Sequence, residues 1–375
     1  MLSSSTQPLK RISFMLATPT YQRSIRRWLG VCAVLVALMV LIGGLTRLTE
    51  SGLSIVEWKL LSGTLPPLSH AAWQAEFEAY QATPQFKLVN HAFTLGDFQS
   101  IYWLEYLHRL LGRVIGLAVM LPLVYFAARR AFSPRLFRRM LGLLLLVGAQ
   151  GTVGWIMVAS GLVDAPRVAP IKLALHLLLA FGFFAALLVT RWQVGESDST
   201  AQPAASVGLR VLAWLALAAS VLQIGFGALV AGLRAGLSYN TYPLMDGALI
   251  PDGLHTLSPW WLNHVESVLT VQFQHRMGAL LVVALVALLA LRLRQISAHR
   301  RLAHALFLAL FGQFTLGVVT LLSGVNLWLA SLHQLGALVL FALLVRGVYG
   351  VSGNTALQKD CHPGLVPGSP ETSSA

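Results

Sequence analysis

Residues 148–161 read GAQGTVGWIMVASG, and residues 311–324 read FGQFTLGVVTLLSG. Aligned, they pair Gln150 with Gln313, Thr152 with Thr315, Gly154 with Gly317 and Ser160 with Ser323. Residues 51–67, SGLSIVEWKLLSGTLPP, match 235–251, AGLSYNTYPLMDGALIP, in the same order. Two ordered matches indicate a chain built from two copies of one unit. Repeated halves are a common way to build a membrane bundle around a central site. Four apolar spans separate equivalent points, so the halves share one orientation, and a pseudo-twofold axis along the membrane normal is expected.

The surrounding composition agrees. Apolar residues make up 56% and charged residues 11% of the 375, and the mean hydropathy is +0.69, which excludes an ordinary soluble domain. Runs long enough to cross a bilayer, about 20 residues, fall near 28–46, 101–127, 140–160, 171–190, 209–231, 266–291, 303–323 and 329–349. Each is expected to be helical, because lipid cannot satisfy open backbone groups. The fold class is therefore an all-α membrane protein of eight transmembrane helices, arranged as two tandem four-helix repeats.

The formal charge of +13 does not indicate a nucleic-acid partner, since the basic residues gather at span ends and form no groove or stripe. Arg23, Arg26 and Arg27 precede the first span; Arg129, Arg130, Arg135, Arg138 and Arg139 follow the second; Arg292, Arg294, Arg300 and Arg301 follow the sixth. The positive-inside rule places these segments and both termini in the cytoplasm. The long loops 47–100 and 232–265 then face outward. Trp28, Trp58, Trp103, Trp155, Trp260, Trp261 and Trp328 suit an interfacial aromatic belt. Cys32 in the first span and Cys361 in the tail are the two cysteines, so an outer-loop disulfide and a thiolate cluster are both excluded. Residues 1–27 read as a cytoplasmic lead-in, with a transit peptide as the other possibility on composition. Residues 28–191 form the first half, 192–208 a cytoplasmic linker, 209–350 the second half, and 351–375 a disordered tail rich in Pro, Gly and Ser.

Four histidines stand inside apolar spans: His108, His176, His275 and His333. The repeat equates His108 with His275 and His176 with His333, on the second and fourth spans of each half. A single intramembrane histidine is usually a packed or hydrogen-bonding residue. Four at matching positions point instead to axial ligation, one haem held between two imidazoles in each half. Arg109 and Arg276 follow His108 and His275 directly, placed to meet a haem propionate; snorkelling to the surface is the alternative. Gly148, Gly151, Gly154, Gly312 and Gly317 are expected to serve close helix packing.

The halves also differ. Glu105 lies one turn before His108 in EYLHRLLGR, where QFQHRMGAL has Gln272. Arg47 is matched by Ala231 and Arg113 by Leu280. A carboxylate at membrane depth needs a partner or a purpose. The first half is thus the better candidate for chemistry and the second a simpler bis-histidine redox centre, although Glu105 could instead be a structural partner of Arg109 or Arg113. No G-x-G-x-x-G dinucleotide fingerprint occurs at a strand-helix junction, so electrons are expected from an outside donor.

EYLHRLLGR, GGLTRLTESGLS, QFQHRMG, the paired GLS loops and the eight-span duplication together resemble the haem A synthase family, over about residues 26–350. The resemblance implies oxidation of the C8 methyl of haem O to a formyl group by successive hydroxylations, giving haem A for cytochrome oxidase. It implies that His275 and His333 hold a haem B cofactor and that His108 and His176, with Glu105, form the substrate site. It implies partnership with haem O synthase and a bacterial plasma membrane in preference to the mitochondrial inner membrane. Oligomerisation is left open. Family members with outer-loop cysteine pairs exist; this chain resembles the subgroup without them. Three other readings explain the histidines: a di-haem electron-transfer cytochrome b, a transporter with parallel repeats, and an assembly protein that hands haem onward.

Overall fold

The computed structural model describes residues 17–59, 62–162, 166–195 and 205–352. Most of the lead-in 1–27, part of the linker 192–208, nearly all of the tail and Cys361 lie outside the described residues. Eleven helices occur among those described: α1 (Pro19–Leu48), α2 (His70–Gln81), α3 (Pro84–Leu88), α4 (Leu95–Ala128), α5 (Pro134–Gly161), α6 (Pro170–Gly195), α7 (Val207–Leu233), α8 (Asn263–Glu266), α9 (Val268–Arg294), α10 (Arg300–Leu322) and α11 (Leu327–Ser352). Eight of them are long and apolar enough to cross a membrane. Even α10, with 23 residues, reaches about 35 Å at 1.5 Å per residue, past the roughly 30 Å hydrocarbon core.

Local chemistry sets where these helices begin. Ser133, Ser206 and Ser267 each accept a hydrogen bond from a backbone N–H of the first turn, capping α5, α7 and α9. Thr94 and Asp97 form a reciprocal capping box on α4. That box starts α4 six residues before the apolar run and carries it out of the bilayer. The equivalent stretch of the second half is broken at Ser267 into α8 and α9.

α1, α4, α5 and α6 pack as a closed ring, and so do α7, α9, α10 and α11. The rings meet through α6 against α7, α1 against α11, and α6 against α11. In α1 and α6, 39% of the span is buried, against 6% in α5 and 11% in α10, so the first two are central and the last two face lipid. Across the junction Phe181 and Phe341 meet edge to face at 5.2 Å, and Gln334 Nε2 donates to the Val40 carbonyl at 2.8 Å.

The first long loop holds more structure than its sequence promises. α2 and α3 fold over the outer end of α4 through Phe77, Tyr80, Phe98, Tyr102 and Tyr106. Tyr80 stacks on Phe98 at 5.2 Å, and burial raises its hydroxyl above the usual phenol value. That hydroxyl lies 3.1 Å from Gln85 Oε1. Two tryptophans leave the expected belt. Trp28 donates to the Ala118 carbonyl at 2.6 Å, joining α1 to α4, and Trp58 lies 4.9 Å beneath the Arg109 guanidinium. Trp103, Trp155, Trp260, Trp261 and Trp328 remain exposed, as a belt requires.

Candidate functional site

His108, His176, His275 and His333 lie on α4, α6, α9 and α11, within the loop-side half of the bundle. Each imidazole is only partly covered by protein atoms. α4 and α6 belong to one four-helix ring and α9 and α11 to the other, so His108 shares a ring with His176 and His275 with His333.

Every one of these rings rests on a glycine of a neighbouring helix. A Cβ on Gly43 would stand 3.1 Å from His108 Nε2, and one on Gly154 3.0 Å from His176 Cε1. On Gly227 it would stand 3.0 Å from His275 Cε1, and on Gly317 2.9 Å from His333 Cε1. A side chain on Gly317 would require the imidazole to shift, and one on Gly43, Gly154 or Gly227 would press on it by a few tenths of an ångström. The five glycines expected to serve packing therefore divide: Gly154 and Gly317 support histidines, whereas Gly148, Gly151 and Gly312 have nothing within 4 Å of an added Cβ.

One turn before three of these four glycines stands a glutamine. Gln150 Nε2 lies 3.2 Å from both ring nitrogens of His176. Gln223 Nε2 lies 3.0 Å from His275 Nδ1, and Gln313 Nε2 3.5 Å from His333 Nε2. Gly43, Gly227 and Gln223 were not singled out from the sequence. The signal was there as a spaced motif, Q-x3-G at 150–154, 223–227 and 313–317, with Met39 replacing glutamine at 39–43.

Glu105 is 1% exposed. Its Oε2 accepts from Ser54 N (2.7 Å), Ser54 Oγ (2.7 Å) and Ile55 N (2.9 Å). Its Oε1 accepts from Arg109 Nε (2.9 Å) and Nη2 (2.6 Å). Arg109 also donates to the carbonyls of Ile55 (2.7 Å) and Glu57 (3.1 Å). In the second half, Arg276 donates to Tyr239 O (2.5 Å), Thr241 O (2.8 Å) and Gln272 Oε1 (3.0 Å), and Gln272 Nε2 donates to Ala235 O and Ser238 O. Ile55 and Glu57 align with Tyr239 and Thr241, so the same clamp fastens each GLS loop to its histidine helix. Arg109 thus divides its donors between Glu105 and loop carbonyls, Arg276 gives most of its own to loop carbonyls, and the buried Nε of Arg276 has no partner.

The other cations peculiar to the first half also bind backbone. Arg113 Nη2 donates to Lys59 O at 2.7 Å. Arg47 Nη2 donates to Ala231 O (2.5 Å) and Gly232 O (2.9 Å), tying α1 to the end of α7. Beside it Glu50 pairs with Arg234 at 2.8 Å and with Arg167 at 3.8 Å. His264 is half-buried and bonded to Gln274.

Among the described residues no group of three or more His, Cys, Asp or Glu could hold a bare metal ion. Two imidazoles per ring, with no further protein ligand, suit an iron whose other four positions are filled by a porphyrin. The unpartnered His333 Nδ1 and Arg276 Nε, together with the glycine floors, fit such a group.

Fold and site define an eight-span membrane protein with two pairs of intramembrane histidines. The chain belongs to the COX15-CtaA family of cytochrome oxidase assembly proteins, whose model matches residues 26–345. It is 49% identical over 327 residues to a protein named heme A synthase from Bradyrhizobium sp. (strain ORS 278), covering 86% of this chain and 90% of that one. It is 48% identical to the heme A synthase of Rhodopseudomonas palustris (strain ATCC BAA-98 / CGA009), covering 84% and 86%. It is 47% identical to that of Nitrosospira multiformis, covering 85% and 91%.

Proposed function

We propose that this chain is a haem A synthase, an oxidoreductase that converts the C8 methyl of haem O to a formyl group. The observation that carries the reading is the pairing of four intramembrane histidines, two to a ring, in a chain that shares nearly half its residues with proteins of that name. His108 and His176 would hold haem O as substrate. His275 and His333 would hold haem B as the resident cofactor, with Arg276 Nε free to reach a propionate. Bound haem B supplies one-electron chemistry, linking an outside donor or acceptor to the substrate ring.

The chain's own groups orient the substrate and exclude water. Glu105 and Arg109 hold residues 54–57 down on the outer end of α4, beside His108. In this arrangement the carboxylate acts first as a positioning group; any proton it exchanges with the substrate methyl requires one of its five hydrogen bonds to open. Residues 28–191 and 209–350 are proposed as the two copies of an ancestral four-helix unit, related about the membrane normal. Their equivalent clamps and equivalent glycine floors support that relation.

The decisive measurement is chromatography of the haems extracted from protein purified from a host that makes haem O but no haem A. Haem B with haem O and newly formed haem A is the expected outcome. Haem B alone, about two per chain and indifferent to haem O supply, would replace the proposal with an electron-transfer cytochrome; a colourless protein would replace it with a transporter.

The proposed location is the bacterial plasma membrane, with both termini cytoplasmic. The arginines of the α4–α5 and α9–α10 turns, at the end opposite the long loops, support this. Alkaline phosphatase fused after Ser352 is expected to be inactive in cells; strong activity would invert the topology.

A further inference from the structure

We infer that Gln150, Gln223 and Gln313 are positioning residues that lock His176, His275 and His333 as axial ligands, and that Met39 leaves His108 as the releasable ligand of the first half. The inference rests on the proposed division between a substrate haem in the first half and a resident haem in the second.

The four sites are equivalent by sequence position. Met39 precedes Gly43 by one turn, as Gln150 precedes Gly154, Gln223 precedes Gly227 and Gln313 precedes Gly317. Each glycine floors one histidine. Three of the four rings therefore have an amide beside them, and at the fourth the matching sequence position holds Met39, whose thioether is only a weak acceptor. Among the described residues no hydrogen bond reaches the His108 ring. The carbonyl oxygens of Gln150, Gln223 and Gln313 are all buried without a partner. An unsatisfied buried acceptor costs about 1–3 kcal/mol, so three at matching positions indicate a donor still to come.

An imidazole that gives one nitrogen to iron carries its proton on the other, and that N–H needs an acceptor. Rotation of each glutamine amide about its last bond presents Oε1 to it. The second half makes room for this amide. Gly278 and Gly336, each three residues after its histidine, lie directly beneath the oxygens of Gln223 and Gln313. The residue three after His108 is Leu111. A hydrogen bond to the distal N–H fixes the ring's orientation and strengthens it as a ligand. Both histidines of the second half have a glutamine amide placed to supply one, as a permanent cofactor requires. In the first half one side is held through Gln150 and the other is not. Substrate entry would then end, and product release begin, at the His108 bond, with His176 the first ligand to take the haem and the last to let it go.

The test uses the full-length protein carrying haem B and haem O, mixed with excess apomyoglobin as haem acceptor. Chromatography of the acceptor separates release of the two haems. Met39→Gln, and Met39→Gln combined with Leu111→Gly, are expected to slow haem O release about tenfold or more, which corresponds to about 1.4 kcal/mol, with haem B release unchanged. Gln223→Met is expected to speed haem B release and shift that haem's midpoint potential positive. Gln223→Glu, a stronger acceptor, is expected to retain haem B and shift the potential negative. Opposite shifts mark a hydrogen bond to the ligand, since a packing defect would move both variants alike. Unchanged haem O release in both Met39 variants, or shifts of one sign in both Gln223 variants, would overturn the inference. Absence of haem O from the protein would instead defeat the proposed function, and the Gln223 pair would still decide the role of the glutamines.

Discussion

Glu105→Ala is expected to abolish haem A formation and to destabilise the first half by about 3–5 kcal/mol, the usual consequence of removing one partner of a buried ion pair. Glu105 accepts five hydrogen bonds, and the Arg109 side chain it pairs with is 9% exposed. Its removal leaves a buried guanidinium, two backbone N–H groups and a hydroxyl without their acceptor. Haem B on His275 and His333 is expected to stay at the parental level, because the second half has its own clamp through Gln272 and Arg276. Thermal unfolding in detergent and haem extraction measure both effects.

Glu105→Gln separates holding from chemistry. Glutamine fills the same volume and is what the second half carries at this position. However, Gln272 donates to loop carbonyls, whereas Glu105 accepts from loop N–H groups. A variant that melts with the parent yet makes no haem A would assign the carboxylate a part in the reaction. A variant that makes haem A at the parental rate, with equal haem B, would remove both the proton-transfer role and the need for a charged clamp.

The second large effect is expected at a residue with no side chain. Gly317→Val should lower haem B content at least about tenfold although His275 and His333 are both present. The Cβ alone would stand 2.9 Å from His333 Cε1, and two further methyls leave the ring no position from which to face His275. Gly312→Val on the same helix is the control, since nothing lies within 4 Å of a Cβ there. Reduced-minus-oxidised spectra per mole of protein report the outcome. Full haem content in Gly317→Val would show that the floor yields and that the histidine is not set by it.

Much of this molecule was legible in the chain. All eight spans were readable because apolar length is a local property and lipid imposes one backbone solution on it. The four histidines were readable because the repeat turned four weak signals into one. The clamp was not. Glu105 and Arg109 stand one turn apart and their pairing was one of the readings, but the 51–57 loop lies about 50 residues away, and nothing local says that the carboxylate will also take Ser54 and Ile55. The arginines were read as placed to meet a propionate because each directly follows a histidine; the fold also gives them loop carbonyls and the side chain of Glu105 or Gln272. Trp28 was misread for a similar reason, since an aromatic at a span end gives the same signal whether it meets headgroups or a neighbouring helix.

The glycines show where the boundary lies. By itself the sequence determined the all-helical membrane class, the eight spans, the two matching halves and the identity of the intramembrane histidines, because these follow from composition, length and internal similarity. Only the tertiary structure decided that Gly43, Gly154, Gly227 and Gly317 each floor a histidine, that three glutamines stand beside those rings, and that Glu105 fastens a loop. Those relations depend on which helix faces which, and the close approach of an imidazole to a bare Cα is set by the packing of two helices, not by either one alone.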